Sequence, residues 1–104
     1  MLMTDARKSV VYVVADLWPF PEKAKEAKQI LIAVVPEAKK ERSCLKYELC
    51  ENYNDQAQLT LLQAWSTEEA LEAHLNGELI TKASENLRTL LALPTVIRRY
   101  KNIG

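Results

Sequence analysis

Between Gln63 and His74 the chain changes from a strand pattern to a helix pattern in one step, with no linker between them. Gln58–Trp65 reads as a strand, and the helix starts at once. Ser66 and Glu69 have the spacing of a capping box. In that motif the serine oxygen accepts from a first-turn amide and the glutamate reaches back to the serine amide. Ala70, Leu71, His74 and Leu75 then share one face, because residues three and four apart are neighbours on a helix. His74 is the only histidine of the chain. It sits on an apolar stripe, either as a core histidine with satisfied nitrogens or as a pocket residue.

The remaining segments build around that junction. Ser9–Leu17 is a valine-rich strand, apolar on both faces, so both faces need cover. Pro19 and Pro21 end it, and Pro21 suits the first turn of a helix. Ala27, Ile30, Leu31, Val34, Val35 and Ala38 recur at helical spacing. Pro36 is expected to kink that helix or end its regular part near Val35. Lys39–Arg42 reads as a solvated helix end. Cys44–Glu51 alternates, with Leu45, Tyr47 and Leu49 on one face and Cys44, Lys46, Glu48 and Cys50 on the other. Residues 52–56 form a turn by composition. A further helix carries Leu79, Ile80, Ala83, Leu87, Leu90 and Leu91 inward before Pro94, and Thr95–Lys101 is the last strand.

The order is β-α-β-β-α-β. It predicts an α+β, ferredoxin-like domain over residues 1–104, with an antiparallel four-stranded sheet and helices on one face. Val10, Tyr12, Val14, Leu59, Leu61 and Trp65 on one side, and Val11, Val13 and Leu62 on the other, leave no strand with a clearly wet face. Single soluble domains rarely expose a large apolar patch. A homodimer with its sheets face to face is therefore expected.

Composition narrows the function. The 14 basic and 14 acidic side chains cancel, whereas a nucleic-acid surface needs a basic face. No apolar run approaches the roughly 20 residues of a membrane span. Met1–Ser9 lacks the apolar core and cleavage site of a leader, so a cytoplasmic location is expected. Cys44 and Cys50 would lie about 20 Å apart in one strand, beyond the roughly 4.4–6.8 Å that a disulfide spans. These two cysteines and a lone histidine fit no zinc spacing, and no glycine-rich phosphate loop is present. The expected cofactor is none: no metal, flavin or haem.

Three stretches taken together resemble a known family: Cys44-Leu45-x-Tyr47-Glu48-Leu49, Trp65 at a strand end, and Glu69-Ala70-Leu71-Glu72-Ala73-His74. They are similar to the antibiotic biosynthesis monooxygenase (ABM) domain. The resemblance runs from the first strand to Val96-Ile97-Arg98 and includes Val35-Pro36. It implies a dimeric α+β barrel, in a family that holds cofactor-free quinol oxygenases, haem-degrading enzymes and a sugar-phosphate isomerase. Three departures stand out. Gln63 replaces a common glutamate, Ser43 replaces a glycine before the Cys-Leu step, and Glu78-Leu79 replaces a Pro-His pair. A two-histidine mechanism is therefore not expected. The haem-degrading branch needs an asparagine and an iron-binding histidine where Leu17 and Ser84 stand, so haem binding is not expected either.

What the resemblance implies is a cofactor-independent monooxygenase acting on a quinol or polycyclic phenol. In that role His74 is the base, since its ordinary pKa lies near neutrality. Trp65 donates its indole N–H or stacks, Tyr47 orients an oxygen, and Leu17 faces the substrate. The alternative is a non-catalytic dimeric module that binds a small aromatic ligand or regulates through the same pocket. Asp16, Glu48, Gln63, Arg98 and Arg99 read as an inter-strand or inter-subunit polar network.

Overall fold

The computed structural model describes residues 9–104, so the expectation of no leader in residues 1–8 lies outside the described residues. Strand β1 is Val11–Leu17, β2 is Cys44–Asn52, β3 is Asp55–Trp65 and β4 is Val96–Lys101. Helix α1 is Ala24–Lys39, α2 is Glu68–Leu75 and α3 is Glu78–Leu87. The strands form one antiparallel sheet in the order β2-β3-β1-β4. This is the ferredoxin-like arrangement, with the helices packed on one face. Among the described residues no helix is long and apolar enough to cross a membrane.

Register decides which side chains meet the helices. Val11 pairs with Trp65, Val13 with Gln63, Ala15 with Leu61 and Leu17 with Leu59. Paired residues point to the same face of a sheet. Val11, Val13, Ala15, Leu17, Leu59, Leu61 and Trp65 are therefore the helix-covered face, and all are buried. This corrects the sequence-based division, which set Val11 and Val13 opposite Leu59, Leu61 and Trp65. The uncovered face holds Tyr12, Val14, Asp16, Thr60 and Leu62 with Arg98 and Tyr100. Asp16 accepts from Thr60 at 2.7 Å and from Gln58 at 3.1 Å, and pairs with Arg98 at 3.5 Å. Arg99 points the other way and pairs with Glu72 of α2 at 2.6 Å. The expected single polar network is thus split between two faces, and among the described residues the ion pair of Glu48 is with Lys46, at 3.6 Å.

Four local expectations change. Helix α1 continues through Pro36 to Lys39. A proline removes one hydrogen bond, to the carbonyl four residues earlier. Here that residue, Ile32, is exposed, so water can take the carbonyl's bond. In β2 the register shifts between Cys44 and Lys46, which leaves Leu45 as the extra residue of a bulge. A bulge sets two residues against one and resets the alternation. Cys44 and Tyr47 therefore share the helix side, while Leu45 is 59% exposed. The turn shortens to Tyr53-Asn54, with Asn52 paired to Asp55. Helix α3 ends at Leu87, and Leu90–Ala92 instead bonds to Trp18 and Phe20 through Phe20 N–H to Leu90 O and Ala92 N–H to Trp18 O.

The cap of α2 also moves by one residue. The Ser66 amide donates to the Ser43 carbonyl at 3.0 Å, which extends the β2–β3 pairing and takes Ser66 out of the capping role. Thr67 is the N-cap, and its hydroxyl accepts from the Ala70 amide at 3.1 Å. Replacing a capping threonine by alanine removes a partner from an orphan amide. Thr67→Ala is expected to lower stability by about 1 kcal/mol, measured by urea unfolding. Leu71→Ala, which empties a fully buried position of the same helix, should lower it by about 2–5 kcal/mol.

Candidate functional site

His74 is 1% exposed. An imidazole so buried must have both nitrogens bonded, and here it does. Nδ1 lies 2.9 and 3.0 Å from the two Glu41 carboxylate oxygens. Nε2 lies 3.2 Å from the Tyr47 hydroxyl. A carboxylate only accepts, so Nδ1 carries the proton and donates to it. In the neutral ring Nε2 then accepts from the Tyr47 O–H. The result is a chain of hydrogen bonds from Glu41 through His74 to Tyr47.

Each member comes from a different part of the fold. Glu41 sits on the turn that follows α1, held by its own amide donating to Ala38 O and by the Cys44 amide donating to Glu41 O. Ser43 reverses the chain into β2 with a φ of 68°, the left-handed region that favours glycine. Tyr47 comes from β2 just beyond the bulge, and His74 from the buried face of α2. Trp65 closes the group from behind. Its ring centroid is 4.6 Å from that of His74 with the planes 32° apart, and Tyr47 meets His74 edge-on at 5.2 Å. The Trp65 indole N–H donates to Gln63 Oε1 at 2.9 Å.

Burial pushes the Tyr47 hydroxyl pKa well above its ordinary value, and the nearby Glu41 and Cys44 push it the same way. Tyr47 is thus a neutral donor at any ordinary pH. Burial also raises the Cys44 pKa, and neither Cys44 nor Cys50 forms a disulfide. Among the described residues no three His, Cys, Asp or Glu side chains gather as a metal cluster.

A cavity of about 170 Å³ lies between the sheet and the helices. Its wall is apolar apart from a few groups, and Leu17, Tyr47 and His74 all line it, together with Gln63. Three of the four residues singled out in the sequence therefore meet at one cavity. Trp65 does not line it, and its N–H is already engaged by Gln63, so its position is that of a support under the imidazole. Glu41, by sequence part of a solvated helix end, is instead a member of the site. Its side chain is 31% exposed, but its oxygens turn inward to His74. The one available signal was that a buried histidine needs an acceptor. That signal does not choose among 14 carboxylates. Gln63, expected in a polar network between strands or subunits, instead bonds Trp65 and forms part of the cavity wall.

The same fold occurs in solved structures. A conserved protein from Methanosarcina mazei Go1 superposes with a TM-score of 0.89 at 24% identity, over 94% of this chain and 97% of that one. A Mycobacterium tuberculosis protein gives 0.86 at 22% identity, over 92% and 97%. A Pseudomonas aeruginosa protein gives 0.86 at 24%, over 92% and 96%. At these identities the likeness speaks for the fold. No curated protein matches the chain. A sequence profile does match, over residues 10–86, which takes in the sheet strands β1 to β3, the turn bearing Glu41 and the helix bearing His74. By that match the chain belongs to the antibiotic biosynthesis monooxygenase (ABM) family.

Proposed function

We propose that the protein is a cofactor-independent monooxygenase acting on a quinol or polycyclic phenol. The observation that carries this reading is the Glu41–His74–Tyr47 chain ending on an apolar cavity. Such an oxidation starts by removing a proton from an electron-rich phenol, whose anion then gives an electron to oxygen. A quinol and one O₂ yield a hydroxyquinone and water. One oxygen atom stays on the ring, the other leaves as water, and all four electrons come from the substrate. The protein must supply a dry cavity and a base.

His74 Nε2 is the base. The Tyr47 hydroxyl passes its own proton to Nε2 as it takes the substrate's. Tyr47 conducts the proton and does not store charge, because its raised pKa keeps it neutral at rest. Glu41 then sits beside the imidazolium, and a buried positive charge is tolerated only when so paired. Trp65 holds the imidazole plane, and Leu17 forms part of the apolar wall. A binding module would need the Glu41 contact only to satisfy a buried Nδ1, whereas the oxidation gives the same carboxylate a second task, holding the charge of the imidazolium.

The working unit in this reading is a cytoplasmic homodimer. The uncovered sheet face carries Tyr12, Val14, Leu62 and Tyr100, with Tyr12 at 36% and Tyr100 at 49% exposure. A second copy would cover it, as the family's dimeric barrel does.

His74→Ala should lower oxygen consumption with an added quinol by about 100-fold, read on an oxygen electrode. Glu41→Gln should lower it less, because the hydrogen bond survives while the charge does not. A His74→Ala protein with full activity would remove the base role.

Tyr47 also predicts a response to alkali. Its folded pKa lies above the ordinary tyrosine value of 10.0, so the folded state holds this proton more tightly. The stability that results is complete below about pH 10 and is lost as pH rises further. Urea unfolding at about pH 9 and about pH 11 should show a smaller decline for Tyr47→Phe than for the native protein.

Val14→Asp should split the dimer, since it would set a second carboxylate in the apolar contact beside Arg98, whose charge Asp16 already shares. Sedimentation of the native protein as a monomer at micromolar concentration would refute the assembly.

A further inference from the structure

The orientation of the Gln63 amide follows from chemistry. An indole N–H only donates, so the group facing Trp65 Nε1, at 2.9 Å, is the amide oxygen. The Gln63 Nε2 and its two hydrogens therefore point away from Trp65. Among the described residues no hydrogen bond engages them, and no fully enclosed polar side-chain atom lacks a partner. The nitrogen thus opens on the cavity that Gln63 lines. Trp65 is 0% exposed, so a flipped amide would strand a buried indole N–H. The donor is locked in place.

Its neighbours complete a polar corner. Gln63 pairs with Tyr47 across β3 and β2, and the Tyr47 hydroxyl meets His74. Much of the remaining lining is aliphatic, including Leu31, Val34, Leu61, Ile80 and Leu87. The volume is about 170 Å³. An apolar cavity of about 150 Å³ takes up benzene, whereas sites for drug-sized ligands run to about 300–1,000 Å³.

We propose that the cavity selects a single aromatic ring bearing an oxygen, and that the Gln63 Nε2–H donates to that oxygen. The proposal rests on the reading of this cavity as the substrate site. It narrows the substrate class from quinols and polycyclic phenols to those of one ring. A phenol, a phenolate and a quinone carbonyl all accept a hydrogen bond. A fixed N–H favours the anion most, because hydrogen bonds to charged acceptors are the stronger ones.

The test measures binding by calorimetry under argon, with three ligands that do not react. Acetophenone has one ring and an acceptor oxygen, ethylbenzene has one ring and none, and 2-acetonaphthone has the oxygen on two rings. Acetophenone should bind the native protein at least about tenfold more tightly than ethylbenzene, the scale of one good hydrogen bond. 2-Acetonaphthone should bind at least tenfold more weakly than acetophenone. In Gln63→Glu the carboxylate still accepts from Trp65 but offers no N–H, so the advantage of acetophenone over ethylbenzene should vanish. Equal or tighter binding of the two-ring ketone overturns the size limit. A ketone preference that survives in Gln63→Glu overturns the role of Gln63, and failure of both single-ring ligands to bind overturns the proposal. The ligand comparison on the native protein stands even if Gln63→Glu does not fold. Turnover is not needed, so a protein that binds as described yet consumes no oxygen with any quinol supports this proposal while refuting the oxygenase reading.

Discussion

A histidine removed from water cannot keep an unbonded nitrogen, and much of this structure answers to that requirement. Satisfying His74 ties together the turn after α1, strand β2 and helix α2, which supply Glu41, Tyr47 and the imidazole itself. Trp65 brings in β3 as the surface against which the ring rests. Loss of any one contact would leave a buried polar group, a defect that costs more than the bond contributes. The site and the core are thus one object. The Arg99–Glu72 pair adds a polar tie between α2 and β4 at the other end of the same sheet face.

Two backbone irregularities make that convergence possible. The left-handed Ser43 turns the chain sharply enough for Glu41 to look back at α2 while β2 begins three residues later. The bulge at Leu45 then rotates the strand so that Tyr47 faces the helices alongside Cys44. Without that extra residue, strict alternation from Cys44 would send Tyr47 to the uncovered face. Irregular backbone of this kind gathers near functional groups because it re-aims side chains.

The fold was largely legible because period and punctuation agree: valine-rich β1, the helical spacing of Ala27 to Ala38, and the strand-to-helix step after Trp65. What stayed hidden was set by register. Alternation counted along β2 put Cys44 and Tyr47 on opposite faces, and no composition marks the bulge at Leu45. The division of apolar residues between the sheet faces failed for a related reason, since the partner of Val11 is fixed by pairing and not by order in the chain. Ser66 and Glu69 have the letters of a capping box, but the Ser66 amide was taken by Ser43, a contact that no local pattern records. In the site, His74, Tyr47 and Leu17 could be named from pattern and resemblance. Glu41 could not, because its neighbours Lys39, Lys40 and Arg42 make it look like part of a solvated run.

The partial exposure of Glu41 has a consequence for traffic through the protein. One end of the hydrogen-bonded chain touches bulk water at Glu41, and the other ends at the cavity wall at Tyr47. In the proposed oxidation the substrate's proton would pass from Tyr47 through His74 to Glu41, a path made of side chains alone. That path reaches solvent at Glu41 and not by way of the cavity, so the charge balance inside can be kept along the protein's own side chains.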